Sequence, residues 1–150
     1  MPEPASGHTQ HADQLLDSTL ESVDVGEALV LRTARDLGMD EDTQHRVGIS
    51  VREALVNAVA HGNRYNVRKK VHFVVESDPE TLTIRIEDEG DGFHEASVPD
   101  PTDAANIMRH SGRGLLMMRA FMDVVDYQPR VPTGTSVRMV KSLRPAEAGA

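Results

Sequence analysis

At 150 residues the chain has room for one compact domain and not for two, and its 39% apolar and 27% charged residues are ordinary globular values. A net charge of −8 with only 3% aromatic residues excludes a phosphate-tracking nucleic-acid binder, which needs a basic footprint and stacking rings. The absence of cysteine excludes disulfides, thiolate metal centres and cysteine nucleophiles, and no apolar run approaches the roughly 20 residues that cross a bilayer.

Residues 1–14 mix Pro, Gly, Ser, His and Gln without periodicity and read as a disordered tail. The polar stretch Met1 to Asp13 also lacks the pattern of a secretory signal, so the expectation is a cytoplasmic protein with no membrane partner. Residues 144–150 read as a second tail, which places the domain over 15–143. Leu15 to Val23 alternates as a short edge strand would. Val25, Ala28, Leu29, Leu31, Ala34 and Leu37 then recur at helical spacing until Gly38 stops the pattern. Asp40 or Asp42 caps a second helix, whose Val47, Val51, Ala54, Leu55, Ala58 and Val59 form one stripe ending at Gly62.

Val71 to Glu76 and Thr81 to Glu87 are β-rich and flank the turn Ser77-Asp78-Pro79-Glu80, which predicts an antiparallel hairpin. Phe93 to Ser111 carries two prolines and little periodicity, and reads as a mobile loop of lid length. Leu115 to Met122 reads as a buried helix, Val124 to Gln128 as a strand, and Thr133-Gly134-Thr135 as a turn into a last strand, Ser136 to Leu143. The order β-α-α-β-β-lid-α-β-β predicts an α/β (α+β) two-layer sandwich with a mixed, mostly antiparallel sheet covered on one face by helices.

Chemistry concentrates in three places. Glu53, Asn57 and His61 fall four apart and so share one helix face; such a ladder is either a solvated face or a site. A carboxylate and an amide oxygen one turn apart suit Mg²⁺, which takes one or two protein oxygens plus waters and phosphates. A zinc site on Glu53 and His61 lacks a third ligand. Asp88-Glu89-Gly90-Asp91-Gly92 ends a strand, and its glycines permit close approach of a ligand or simply close the turn. Glu87, Glu89, Asp91 and Gly92 echo a calcium loop, but the twelfth position is Val98. Ser111-Gly112-Arg113-Gly114-Leu115 opens a helix, where free N–H groups suit phosphate or an ordinary cap. Neither a P-loop nor a dinucleotide fingerprint is present.

Taken in order, the helical E-x-x-x-N, the strand-end D-x-G-x-G, the lid, the G-x-G before a helix and the late G-T before a strand resemble the GHKL superfamily of Bergerat-fold ATPases and kinases. The wording EALVNAVAHGN, EDEGDGF, SGRGLLMMRAFMDVV and GTSVRMVK is most similar to anti-sigma factor serine kinases. The resemblance implies ATP and Mg²⁺ as cofactors, Glu53 as the general base for a target serine and Asn57 as the Mg²⁺ ligand. It implies Asp88 as acceptor of the adenine amino group, with Gly90 and Gly92 bedding the base and Thr135 supporting it. Gly112, Arg113 and Gly114 would border the triphosphate, with His61 and Asn63 near the phosphates; Leu116 departs from a glycine common among relatives. The implied partners are a sigma factor and a STAS-domain anti-anti-sigma protein, and the implied assembly is a homodimer. A nucleotide-dependent binding module without kinase activity shares every nucleotide contact. A histidine-kinase fragment is disfavoured, because none of the seven histidines has the H-E-x-x-T/N-P context.

Overall fold

The computed structural model describes residues 7–91 and 114–144. Strand β1 (Thr9–Asp17) leads into helix α1 (Leu20–Asp36) and helix α2 (Glu41–Val56). Strands β2 (Lys70–Ser77) and β3 (Thr81–Glu87) follow, then helix α3 (Gly114–Phe121) and strands β4 (Val124–Pro129) and β5 (Thr135–Ser142). The strands form one five-stranded sheet in the order β1-β2-β3-β5-β4.

The helices start where their caps dictate. The Thr19 hydroxyl accepts the Ser22 N–H at 3.2 Å, with Glu21 in the first turn, and Asp40 accepts the Thr43 N–H at 2.8 Å at the head of α2. Those bonds hold the Asp40 carboxyl below its ordinary value. α1 and α2 pack closely because their contact faces carry glycine. A methyl group on Gly26 would strike Leu55, and one on Gly48 would strike Leu31.

The inward residues of the strands, among them Val71, Phe73, Val75, Leu82, Ile84, Ile86, Val137 and Met139, join Val23, Val30, Val51 and Leu55 of the helices in one core. The result is the α+β sandwich expected, with helices on one face. The opposite face carries polar and charged side chains such as His72, Arg85 and Glu87, with Glu87 lying 3.5 Å from His72 and 3.7 Å from Arg85. No helix among the described residues is long and apolar enough to cross a membrane.

Two expectations are corrected. The first strand is Thr9–Asp17, not Leu15 to Val23, so residues 9–14 belong to the sheet rather than to a tail. Its period of two was disguised by an irregularity between Gln10 and Ala12 that shifts the register at His11. The apolar Leu20 and Val23 that suggested continuation lie beyond the Thr19 cap, in α1. The sheet is also antiparallel at every described pairing rather than mixed. α3 delivers the chain to the edge strand β4, and the β4–β5 hairpin brings β5 back antiparallel to β3, so no right-handed parallel crossover forms.

Candidate functional site

The carboxyl end of α2 does not continue as one α-helix to Gly62. It widens into a π-helical segment, Asn57–Gly62, closed by the Asn63 N–H donating to the Ala58 carbonyl at 2.8 Å and the Tyr65 N–H to Val59 at 2.9 Å. Glu53 and Asn57 stay one α-helical turn apart, whereas the wider turn carries His61 around to the exposed end of the segment. The Glu53 carboxyl is half-buried. Burial raises its pKa and the nearby His61 pulls it back. The first residue of α3 leans on it, since a methyl on Gly114 would come within 2.8 Å of Glu53 Oε2.

Three glycine segments meet at Asp88. A methyl group on Gly62 would collide with the Asp88 carboxylate, one on Gly90 with the Gly62 carbonyl, and one on Gly134 with the Asp88 carbonyl. Gly134 also has φ +109, a conformation that side chains rarely adopt. The packing leaves Asp88 only 6% exposed. Its Oδ1 accepts the Gly90 N–H at 2.9 Å and the Thr135 N–H at 3.2 Å, and its own N–H donates to the Thr135 carbonyl at 2.9 Å. Burial pushes the carboxyl up to about 6, against those two hydrogen bonds and the charges of Arg130 and Lys69. Its Oδ2 has no protein donor among the described residues.

Between Asp88 and α2 lies a small recess of about 20 Å³, partly open to solvent. Ala54, Ala58, Ile86 and Val137 form its apolar walls, and Asn57, Asp88, Tyr127 and Thr135 supply its polar groups. Apolar walls around one buried acceptor are the kind of surroundings that the amino edge of a heteroaromatic ring would engage. As it stands the recess has room for about one water, so a ring would enter only as the surrounding side chains give way. Asn57 Oδ1 is buried and unpaired among the described residues, a neutral oxygen of the kind a hard cation takes. In chemical type, a buried carboxylate at Asp88 and a neutral oxygen at Asn57 match the groups an adenine amino group and Mg²⁺ would engage.

The structure brings Asn57, Asp88 and Thr135 to one recess, sets Glu53 beside Gly114 at its flank, and lays Gly90 on the Gly62 backbone. Gly92, Gly112, Arg113 and the expected lid over Phe93 to Ser111 lie outside the described residues. Asn63 is corrected: its side chain does not face the recess. It is 1% exposed, its Nδ2 donates to Ser18 Oγ at 2.9 Å and to the Lys70 carbonyl at 3.1 Å, and its Oδ1 accepts the Glu89 N–H at 2.8 Å. Ser18 in turn donates to the Lys69 carbonyl at 2.6 Å, and Glu89 accepts the Lys70 N–H at 2.6 Å. This clamp ties the π segment to the start of β2 and the end of β3. Sequence reasoning missed Tyr127, whose only signal was an inward position in the alternation of β4, and took Gly62 and Gly134 for punctuation.

Comparison with known proteins agrees with this geometry. Residues 16–141 match the family model described as a histidine kinase-like ATPase domain. The chain is similar to the anti-sigma F factor of Bacillus subtilis (strain 168), at 34% identity over 116 residues, which is 75% of this chain and 77% of that one. The anti-sigma F factor of Heyndrickxia coagulans is 34% identical over 112 residues, covering 72% of this chain and 74% of its own length. Among solved structures, a mycobacterial sensor histidine kinase, MprB, shares the fold at a TM-score of 0.50 and 20% identity, over 89% of this chain and 100% of that one.

Proposed function

The chain belongs to the histidine kinase-like (GHKL) ATPase family, near the anti-sigma F factors, and from that premise we propose that it is an anti-sigma factor and an ATP-dependent protein serine kinase. It binds a sigma factor and phosphorylates a serine of a STAS-domain anti-anti-sigma protein. The single observation that carries the nucleotide half is the recess itself, lined by a buried Asp88 carboxyl and an Asn57 whose Oδ1 is unpaired among the described residues. The likeness to the anti-sigma F factors supports the sigma-factor half. The STAS partner, Mg²⁺, cytoplasmic residence and a homodimeric state belong to the same reading and rest on the family resemblance.

Asp88 would hold the adenine amino group through its carboxyl oxygen, with the Thr135 and Gly90 N–H groups keeping that side chain in place. Asn57 would hold Mg²⁺ through Oδ1. Bound Mg-ATP would supply the transferable phosphoryl group and much of the charge neutralisation the reaction needs. Glu53 would take the proton of the target serine hydroxyl at a carboxylate oxygen, and its part-buried position makes it a stronger base than an exposed glutamate. Few other protein groups are required, because phosphoryl transfer is mainly positioning and electrostatics.

The test is transfer of labelled γ-phosphate from ATP to a STAS-domain protein, with sigma-factor capture measured alongside. Glu53→Gln should lower transfer by about 10² to 10⁴, the range of a lost general base, while ATP binding stays within a few-fold. Transfer unchanged in Glu53→Gln would remove Glu53 from the base role. ATP-dependent capture of a sigma factor with no transfer by the unmutated protein would replace the kinase with a nucleotide-dependent binding module.

A further inference from the structure

The loop that follows the π segment runs against the charge of the rest of the molecule. Residues 64–70 hold four of the 16 basic residues and no acidic one, in a chain of net charge −8. Lys70 pairs with Asp17, whereas Arg64, Arg68 and Lys69 make no ion pair among the described residues. Between those cations stand two apolar side chains turned to solvent, Tyr65 at 50% exposure and Val67 at 82%.

The backbone beneath them is fixed, and fixed at a cost. Arg64 and Tyr65 have φ 51 and φ 58, left-handed conformations that a Cβ disfavours and that a bulky ring disfavours most. The Tyr65 N–H donates to the Val59 carbonyl at 2.9 Å, the Asn66 N–H to the Asn63 carbonyl at 3.0 Å and the Lys69 N–H to the Asn66 carbonyl at 3.0 Å. The Asn66 side chain accepts the Arg68 N–H at 2.9 Å, and the Ser18 and Asn63 side chains hold the carbonyls of Lys69 and Lys70. Every side chain from Arg64 to Arg68 is nonetheless exposed. A solvated charge run needs neither a strained backbone nor apolar residues among its charges. Strained positions that their surroundings hold in place cluster at binding sites, and a backbone already ordered lowers the cost of binding.

We propose that this loop is a docking surface for an acidic segment of a partner protein, whose carboxylates meet Arg64, Arg68 and Lys69 and whose apolar side chain lies on Tyr65 and Val67. Charge selects the occupant. A short anionic segment meets only the local cations, while a nucleic acid or an anionic membrane also meets the negative charge of the rest of the molecule. The surface adjoins the recess, because the loop leaves from Gly62, which packs on Asp88, and returns at Lys70, whose N–H is bonded to Glu89. It goes beyond the nucleotide reading and stands without it.

The test titrates the full chain, without nucleotide and at low salt, with a peptide of sequence EELEE, using QQLQQ as control and amide NMR shifts as the readout. EELEE should move the signals of residues 63–70 and QQLQQ should not, and added salt should weaken the binding. No binding, equal binding of the two peptides, or shifts confined to other segments overturns the proposal. Arg64→Gln combined with Arg68→Gln and Lys69→Gln should lose about tenfold in affinity, the sum expected of three exposed pairs, with the melting temperature of the parent. Unchanged affinity in that variant overturns the proposal as well. EELEE should bind more tightly than EESEE, and Val67→Ser should narrow the difference; a difference that persists in full removes the apolar contact and overturns the surface as drawn. Release of EELEE by ATP would assign the loop to the triphosphate, and tighter binding of phosphatidylserine vesicles or single-stranded DNA would assign it to another class of partner. Either result overturns the proposal.

Discussion

Asn57 and Asn63 stand at the two ends of one short π segment, and their surroundings are opposite. Asn63 spends its whole carboxamide on the protein, with bonds to Ser18, Lys70 and Glu89. Asn57 Oδ1 is as sealed as a core atom and is bonded to nothing among the described residues. Both are asparagines in a helical run, where asparagine is a mediocre choice and needs a reason. For Asn63 the reason is the fold, which uses it to hold three segments together. For Asn57 Oδ1 no such partner exists among the described residues, as the proposed role of cation ligand requires. Hydrogen-bond accounting separates the two roles where residue type does not.

The comparison breaks most visibly in stability. Asn63→Ala removes three hydrogen bonds and leaves the Glu89 N–H and the Lys70 carbonyl without that partner, which should cost about 3 kcal/mol. Urea denaturation measures it, and the loss should be the same with and without nucleotide. A variant as stable as the parent but defective in ATP binding would reverse the roles assigned to the two residues.

Part of this was legible in the sequence. VHFVVE and TLTIRIE alternate cleanly, because one face of β2 and β3 lies on the core, and the α2 stripe from Val47 to Val59 is continuous. The candidate residues Glu53, Asn57, Asp88 and Thr135 are singled out because motifs far apart in the chain agree with one another, and three of them, Asn57, Asp88 and Thr135, line one recess. The strand β1 was hidden by its irregularity at His11. The π segment was illegible for a different reason: NAVAHG keeps its apolar residues on the stripe, and nothing in residue type distinguishes a wide turn from a regular one. The Asn63 clamp depends on Ser18, 45 positions away, and no local pattern encodes a contact at that separation.

Asp88 stands between the two asparagines and sharpens the contrast through pH. Its carboxyl rises from 3.8 to about 6 on folding, so between those values the folded chain holds a proton that the unfolded chain has lost. Its contribution to stability therefore falls as pH climbs through that window and is lowest above about 6, by an amount on the order of 2 to 3 kcal/mol. Asp88→Asn removes the cost: the variant should be more stable than the parent at pH 8 and converge with it near pH 4, as followed by thermal melts across pH. It should also lose the acceptor for an amino group and bind ATP more weakly at pH 8. A variant that is destabilised at pH 8 would show that the carboxylate serves the fold, as Asn63 does.

Asn57→Ala should have the smallest effect on stability and is for that reason the sharpest test. No bond from Oδ1 is lost, and alanine is the better helix former by roughly 0.6 kcal/mol, so the unfolding free energy should stay level or rise by about that much. The same substitution should abolish the Mg²⁺-dependent part of ATP binding, read by calorimetry with and without EDTA. The two results are coupled through one atom: if Oδ1 serves the proposed cation and not the fold, binding is lost while stability is kept. Were Asn57→Ala to cost as much stability as Asn63→Ala, the carboxamide would have a partner within the fold, and the case for a cation at Oδ1 would go with it.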